Sequence, residues 1–309
     1  MMVSPPLEPG PELDVRFFVP PDDLEACFSI FYRIEVTPAK GRTIEDYLLP
    51  EWANIRFSSY TLPSAIMQDG REVSGRFVAT GPSSCAIRFR LQRTRIWGIG
   101  FLPLGWARFI DLPASEHANT VQQGESSSAF ARFAPLVRIL CRPENDDEAQ
   151  YQRAVEFFRN LAGPPRDEAR IRAILKAMYD PHLAHVGELA ERVGLTNRTL
   201  ERTCLRHFGF PPQTLLRRQR AMRSLASFML SEHTSWRQTF DQHYHDQAHF
   251  VREFKAFMGM GPSEYARLPH PILRAFMAER NRVWGPGVPS FEPLNARLGQ
   301  TTPLGPAAN

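Results

Sequence analysis

A chain of 309 residues is long for a single core and suits two domains plus a tail, and its formal net charge is a modest +4. No run approaches the roughly 18 apolar residues a membrane span requires, so no membrane partner is expected. The cysteines Cys27, Cys85, Cys141 and Cys204 lie far apart without a C-x-x-C pair, which argues against a disulfide framework or thiolate zinc and for a reducing compartment.

Residues 1–10 are Pro-rich and acidic, unlike the basic-then-apolar order of a signal peptide, so a cytoplasmic location is expected. Residues 14–110 then read as strands. Arg16-Phe17-Phe18-Val19, the run from Phe28 to Val36, and Trp52-Ala53-Asn54-Ile55-Arg56-Phe57 are short, aromatic and β-branched, bounded by Gly, Pro or Asp. Ala86-Ile87-Arg88-Phe89-Arg90-Leu91 alternates apolar with basic, as a strand with one wet face does. Strands in series without intervening helical patterns predict an antiparallel β domain, barrel or sandwich, over residues 1–125.

After Pro113 the apolar period becomes helical. Phe130, Phe133, Leu136, Val137 and Leu140 share a stripe over residues 129–140. Tyr151, Val155, Phe158 and Leu161 share one over 148–161, and Ile171, Ile174, Leu175 and Met178 one over 166–179. Gly163-Pro164-Pro165 and Asp180-Pro181-His182 are the joints. Residues 126–180 are therefore expected to form a helical connector that either packs on the sheet or dimerises the chain, packing being the plainer reading. Beyond residue 268 one helix is expected over 271–282, followed by Gly285-Pro286-Gly287-Val288-Pro289 and a polar end. This extension, residues 269–309, is expected to be partly disordered and is given no chemistry.

Between connector and extension lies a repeat. Thr196-Asn197-Arg198-Thr199-Leu200-Glu201-Arg202-Thr203-Cys204 and Asp246-Gln247-Ala248-His249-Phe250-Val251-Arg252-Glu253-Phe254 stand 50 residues apart. Each opens with an N-cap residue, Thr196 or Asp246. Each then has apolar residues four and eight positions on (Leu200 and Cys204, Phe250 and Phe254) and an Arg off that stripe, at 202 and 252. A short helix precedes each: Val186, Leu189, Ala190 and Val193 closed by Gly194, and Trp236, Thr239 and Phe240 running toward His243. Helix, tight turn and capped helix is a helix-turn-helix layout, with the second helix placed in the major groove. Pro212 to Leu230 reads as one linking helix, apolar through Leu215, Leu216, Met222 and Leu225 and basic through Arg217, Arg218, Arg220 and Arg223. Charge agrees. Lys and Arg number 21 against 23 Asp and Glu in residues 1–180, 12 against 8 in 181–268, and 4 against 2 in 269–309.

Residues 181–268 resemble the DNA-binding domain of the AraC/XylS family of transcription regulators. The resemblance is carried by Asp246-Gln247-Ala248-His249-Phe250-x-Arg252-Glu253-Phe254, then Gly259-Met260-Gly261-Pro262-Ser263-Glu264-Tyr265, with Leu189-Ala190, Leu200-x-Arg202 and Arg217-x-x-x-Ala221. It implies an all-α double helix-turn-helix domain. Carried over by position, it exposes Asn197, Arg198, Thr199, Glu201 and Arg202 on the first recognition helix and Gln247, Ala248, His249, Val251 and Arg252 on the second. Arg198, Arg202, Gln247 and Arg252 are expected on base edges, and Thr196, Thr199, His249 and the linker's Arg217 and Arg218 on phosphates. The chain departs from the family pattern at His243 (usually Gly), Thr239 (usually Ala) and Cys204 (usually Phe). Upstream, the run from Trp97 to Trp106 followed by Pro113-Ala114-Ser115-Glu116-His117-Ala118-Asn119 resembles the sensory domain of some of these regulators, which implies a cupin-like barrel.

Two other classes compete. A cupin-type enzyme would need metal ligands, but residues 1–180 hold one histidine, His117, and no dinucleotide, Walker or Ser-nucleophile motif occurs. His243-x-His245-x-x-x-His249 has metal-like spacing yet coincides with a turn and recognition helix, so no metal and no cofactor are expected. The second rival is a DNA-binding protein whose β domain only dimerises. Trp52, Phe57, Trp97, Phe101 and Trp106 either line an effector cavity or fill the core. Arg88, Arg90, Arg93 and Arg95 either meet an anionic effector or form a solvated strand face. The expected partners are double-stranded DNA, a small-molecule effector, RNA polymerase if the chain activates, and a second copy if it dimerises.

Overall fold

Alternation of apolar and polar residues carries the N-terminal half into sheets. The computed structural model describes residues 11–142, 146–161, 163, 165, 167–230 and 239–284. Its strands are β1 (Glu12–Phe18), β2 (Phe28–Thr37), β3 (Ile44–Leu48), β4 (Asn54–Tyr60), β5 (Ser64–Ile66), β6 (Glu72–Ser74), β7 (Phe77–Thr80), β8 (Ile87–Leu91), β9 (Thr94–Phe101) and β10 (Val121–Gln123). They form one sheet in the order β1-β2-β9-β4-β7-β10 and another in the order β3-β8-β5-β6. Every pairing is antiparallel. The sheets bury Val15, Ile34, Val36 and Ile96 of the first against Ile44, Phe89 and Leu91 of the second. The N-terminal region is thus the expected antiparallel β domain, built as a two-sheet sandwich.

The arginines of the strand pattern divide. Arg88 and Arg90 are half-exposed, and Arg90 pairs with Glu45 at 2.6 Å. Arg93 lies 5.1 Å from the Tyr60 ring centroid. Arg95 is buried and turns to Asp147 and Gln150.

Helix α1 (Pro103–Phe109) interrupts the stretch expected to be all strand; Pro103 sits in its first turn, where a missing N–H costs nothing. The stripe over residues 129–140 yields only a 3-10 turn, Ala131–Phe133, and α2 (Leu136–Leu140), because Pro135 has no N–H to carry a helix through. Then come α3 (Asp147–Arg159), α4 (Glu168–Met178), α5 (Val186–Arg192), α6 (Asn197–Phe208), α7 (Pro212–Leu230), α8 (Gln247–Met258), α9 (Pro262–Tyr265) and α10 (Pro271–Trp284). Asp147, in the first turn of α3, accepts from Arg33 at 2.9 Å and Arg16 at 3.3 Å as well as from Arg95, which fastens the helix to β1, β2 and β9. Pro164, Trp236 and residues 285–309, for which a joint, a helix and a tail were expected, lie outside the described residues.

The largest core cluster starts in the first sheet with Phe28, Ile55, Trp97 and Phe101. It continues through Trp106, Phe158 and Ile174, and runs on across residue 180 into Leu189, Leu200, Phe208 and Leu215. The connector helices therefore pack inward. Phe57, Trp97, Phe101 and Trp106 are at most 1% exposed and belong to the core, whereas Trp52 lines a cavity. A separate cluster joins Ala221, Met222 and Leu225 of α7 to Phe250, Phe254 and Phe257 of α8, Tyr265 of α9, and Ala86 just ahead of β8.

Helix α10 forms where one was expected, but it is no idle tail. It lies along β1 and β3, with Phe276 edge-on to Phe17 (5.5 Å between ring centroids) and Tyr32 (5.0 Å). Asp46 of β3 accepts from the first amides of α10, Ile272 at 2.9 Å and Leu273 at 3.1 Å, so a sheet carboxylate caps the helix. His270 lies 3.2 Å from the same carboxylate with φ +44.

Candidate nucleic-acid interface

Each half of the repeat folds as its local chemistry demands. Gly194 follows α5 with φ +65, the left-handed conformation expected of it. Thr196 Oγ1 accepts from the Thr199 amide at 3.2 Å and starts α6; Leu200 and Cys204 are fully buried; Gly209 closes the helix at φ +87. In the second half Asp246 accepts from the His249 amide at 2.6 Å and starts α8, Phe250 and Phe254 turn inward, and Gly259 closes it at φ +74. Ahead of α8, Thr239 is buried and Phe240 packs on Phe250 at 4.4 Å. His243 stands where glycine is usual. Asp241 compensates: its carboxylate accepts the His243 amide at 3.1 Å and lies 2.8 Å from Nδ1, closing the turn through a side chain.

Thr196, Asn197, Arg198, Glu201 and Arg202 are exposed on the first unit, and Gln247, Ala248 and Arg252 on the second; Thr199, His249 and Val251 are half-buried. Among the described residues, no hydrogen bond, ion pair or ring contact engages Arg198, Arg202 or Arg252. These guanidiniums have no internal partner among the described residues and are left open to solvent, which is the state a DNA-reading arginine needs.

The linker departs from expectation. Arg218 is 2% exposed, so it reaches no phosphate. One of its terminal nitrogens donates to the Glu51 carbonyl at 3.1 Å and the Ser83 carbonyl at 3.0 Å, and its guanidinium lies 3.9 Å from the Trp52 ring centroid. Burial pushes its pKa down to about 10, so it remains charged at neutral pH, and no carboxylate pairs with it among the described residues. Arg217 is half-exposed but donates to Glu253 at 2.6 Å, and Arg220 donates to the same carboxylate at 2.6 Å. Glu253 is 3% exposed. Burial alone would raise its pKa; the hydrogen bonds from Arg220 and Arg217 outweigh that and hold it below the ordinary value. Asp241 behaves alike, with the charge of Arg223 overcoming its burial.

A cavity of about 260 Å³ opens between the sandwich and the helices. Leu48, Trp52, Arg56 and Phe89 line it from the sandwich, Arg218 and Met222 from α7, and Ile272, Phe276 and Arg280 from α10. A smaller space of about 80 Å³ continues between the sheets and shares Tyr32, Arg56 and Phe276 with it. Arg56 is neutralised by Glu51 at 2.5 Å and also donates to Tyr32 Oη at 3.1 Å. No group of three or more His, Cys, Asp or Glu residues placed to hold a metal occurs among the described residues. No helix among them is long and apolar enough to cross a membrane.

The helix-turn-helix domain family model matches residues 189–268, the stretch from α5 through α9. This stretch is an AraC-type helix-turn-helix domain. A chain that carries it is a DNA-binding transcription regulator. No curated protein matches the chain. Solved structures resemble it distantly. ToxT from Vibrio cholerae is 9% identical, with 83% of this chain and 98% of that chain covered at a TM-score of 0.40. A second ToxT structure, bound to an unsaturated fatty acid, is 11% identical over 82% and 94% of the two chains at 0.37. The AraC-like activator CuxR is 11% identical over 70% and 87% at 0.26. Overlap this slight says nothing further about the present chain.

Within the AraC-type domain two signals passed unread in the sequence. Gly209 and Gly259 repeat at the same interval as Thr196 and Asp246, and Pro212 and Pro262 follow each by three, so the repeat includes the end of each recognition helix. Glu253, quoted only as part of a motif, ties α8 to α7 through Arg217 and Arg220.

Proposed function

We propose that the chain reads operator DNA with α6 and α8 as paired recognition helices, Arg198, Arg202, Gln247 and Arg252 meeting base edges, and Thr196, Asn197, Thr199, Glu201, Ala248, His249 and Val251 completing the surface. The observation that carries this is the matched pair of capped 12-residue helices, each presenting an exposed arginine six positions after its cap. Arginine pairs bidentately with guanine, and recognition helices contact bases chiefly through their N-terminal residues. With both helices on α7, one chain addresses two major-groove segments roughly 34 Å apart. The reading is of a cytoplasmic binding protein rather than an enzyme, organised as a β sensor (residues 1–125), a helical connector (126–180), the reading domain (181–268) and an extension (269–309). Gel-shift titration of the full chain against genomic fragments at fixed salt tests it. A preferred fragment should bind at least ten times tighter than random DNA, with affinity falling steeply as salt rises; equal binding of all fragments would end the proposal.

The cavity supports an effector site in the same reading. Its walls are largely apolar, and Arg218 stands in them as a buried cation without a carboxylate partner among the described residues. An apolar molecule bearing one acidic group complements both features. Such compounds should raise the melting temperature of the chain, since a ligand that binds only the native state stabilises it, while neutral analogues of equal size should raise it less. No shift from any acidic amphiphile, read by differential scanning fluorimetry, would leave the cavity as packing space only.

A further inference from the structure

Six residues of the β domain, 81–86, touch both helix-turn-helix units and the helix between them. Pro82 packs on Gly209 so closely that a Cβ there would meet its ring at 2.9 Å, which fixes the end of α6. The Ser83 carbonyl accepts from Arg218 at 3.0 Å, which fixes α7. The Ala86 amide donates to the Phe257 carbonyl at 2.7 Å, which fixes the last turn of α8. The segment is itself held firmly. Ser83 and Glu51 exchange two bonds, at 2.9 and 3.0 Å, and Asn119 accepts the Ser84 amide at 2.7 Å while its own amide reaches Pro82 at 2.8 Å.

The two recognition helices belong to different cores: Leu200 and Phe208 of α6 lie in the large cluster, Phe250 and Phe254 of α8 in the smaller one. Their separation is thus set by whatever spans the clusters. Helix α7 does so, and so does Ala86, a β-domain residue seated in the smaller core. We propose that residues 81–86 are a spacer that fixes the distance and rotational phase between α6 and α8, so that the sensor domain positions the reading heads on DNA. Both helices are gripped near their C-terminal ends, which leaves the capped N-terminal ends, with Asn197, Arg198, Gln247 and Ala248, facing outward.

The inference rests on the operator reading above and is tested on an operator found there. Probes carry the native half-site spacing, one base pair more, one base pair fewer, or a single half-site. One base pair turns the second site by about 35° and shifts it by about 3.4 Å. The native chain should bind the altered spacings about tenfold more weakly, as a misplaced set of contacts does. Two variants loosen the spacer. Ala86→Pro removes the donor to Phe257 just ahead of a strand, where proline is tolerated, and a two-glycine insertion between Ser84 and Cys85 separates the α6 and α7 contacts from the α8 contact. Both should keep native circular dichroism and single half-site affinity, while the spacing penalty drops below about threefold. An unchanged penalty in both variants overturns the spacer. A native chain that prefers no fragment overturns the operator reading beneath it instead.

Discussion

Alanine at Arg202 or Arg252 should weaken binding to the preferred operator by roughly ten- to a hundredfold, about 1–3 kcal/mol, and should weaken binding to random DNA far less. Both side chains are exposed and without an internal partner among the described residues, so their removal takes nothing from the fold. The melting temperature should therefore stay near that of the native chain. Specificity should relax at one base position per variant, which competition with single-base operator variants would reveal. Equal loss on operator and random DNA would show that these arginines touch only phosphate. Arg218→Ala, by contrast, should act on the sandwich–linker contact and leave the salt slope of DNA binding untouched, because its guanidinium is buried against Glu51 and Ser83.

The second large effect is expected at Glu253. Its carboxylate receives Arg217 and Arg220 at 2.6 Å each, and Arg220 is only 14% exposed. Glu253→Ala would leave a partly buried cation without its counter-charge, a change that costs about 3 kcal/mol at the lower end of the range for broken buried pairs, since Arg217 can turn to water. Urea denaturation should show this loss. The pH dependence follows from the same contact. Glu253 and Asp241 have pKa values below their ordinary 4.5 and 3.8, so the folded state binds fewer protons than the unfolded one. Their stabilisation is complete above the unfolded values and is lost as pH falls through the depressed folded values. Native protein should therefore lose stability steeply below about pH 4.5, and Glu253→Gln should flatten part of that slope.

Local chemistry was legible in the sequence, and long-range choices were not. Thr196, Asp246 and Gly194 announced themselves because capping and left-handed backbone depend on a few neighbouring residues. The β domain showed through its period of two. Pro135 is legible as well: its missing N–H predicts that no single helix runs through residues 129–140. Nothing local, however, distinguished Arg218 from Arg217 or Arg220. What selects it are carbonyls 167 and 135 residues earlier in the chain, on a surface that exists only once the sandwich has formed. The same holds for Trp97 and Trp106, whose placement in core rather than cavity is decided by helices that follow them.

The apolar interior that passes unbroken from Phe28 and Trp97 to Leu189, Leu200 and Phe208 has a practical corollary for protein engineering. Here a cut at residue 180 would strip α5 and α6 of the surface they bury, and the excised piece would present a greasy wall to water. Any chimera built from this chain has to carry the sandwich along with the head, or supply new side chains to close the wound.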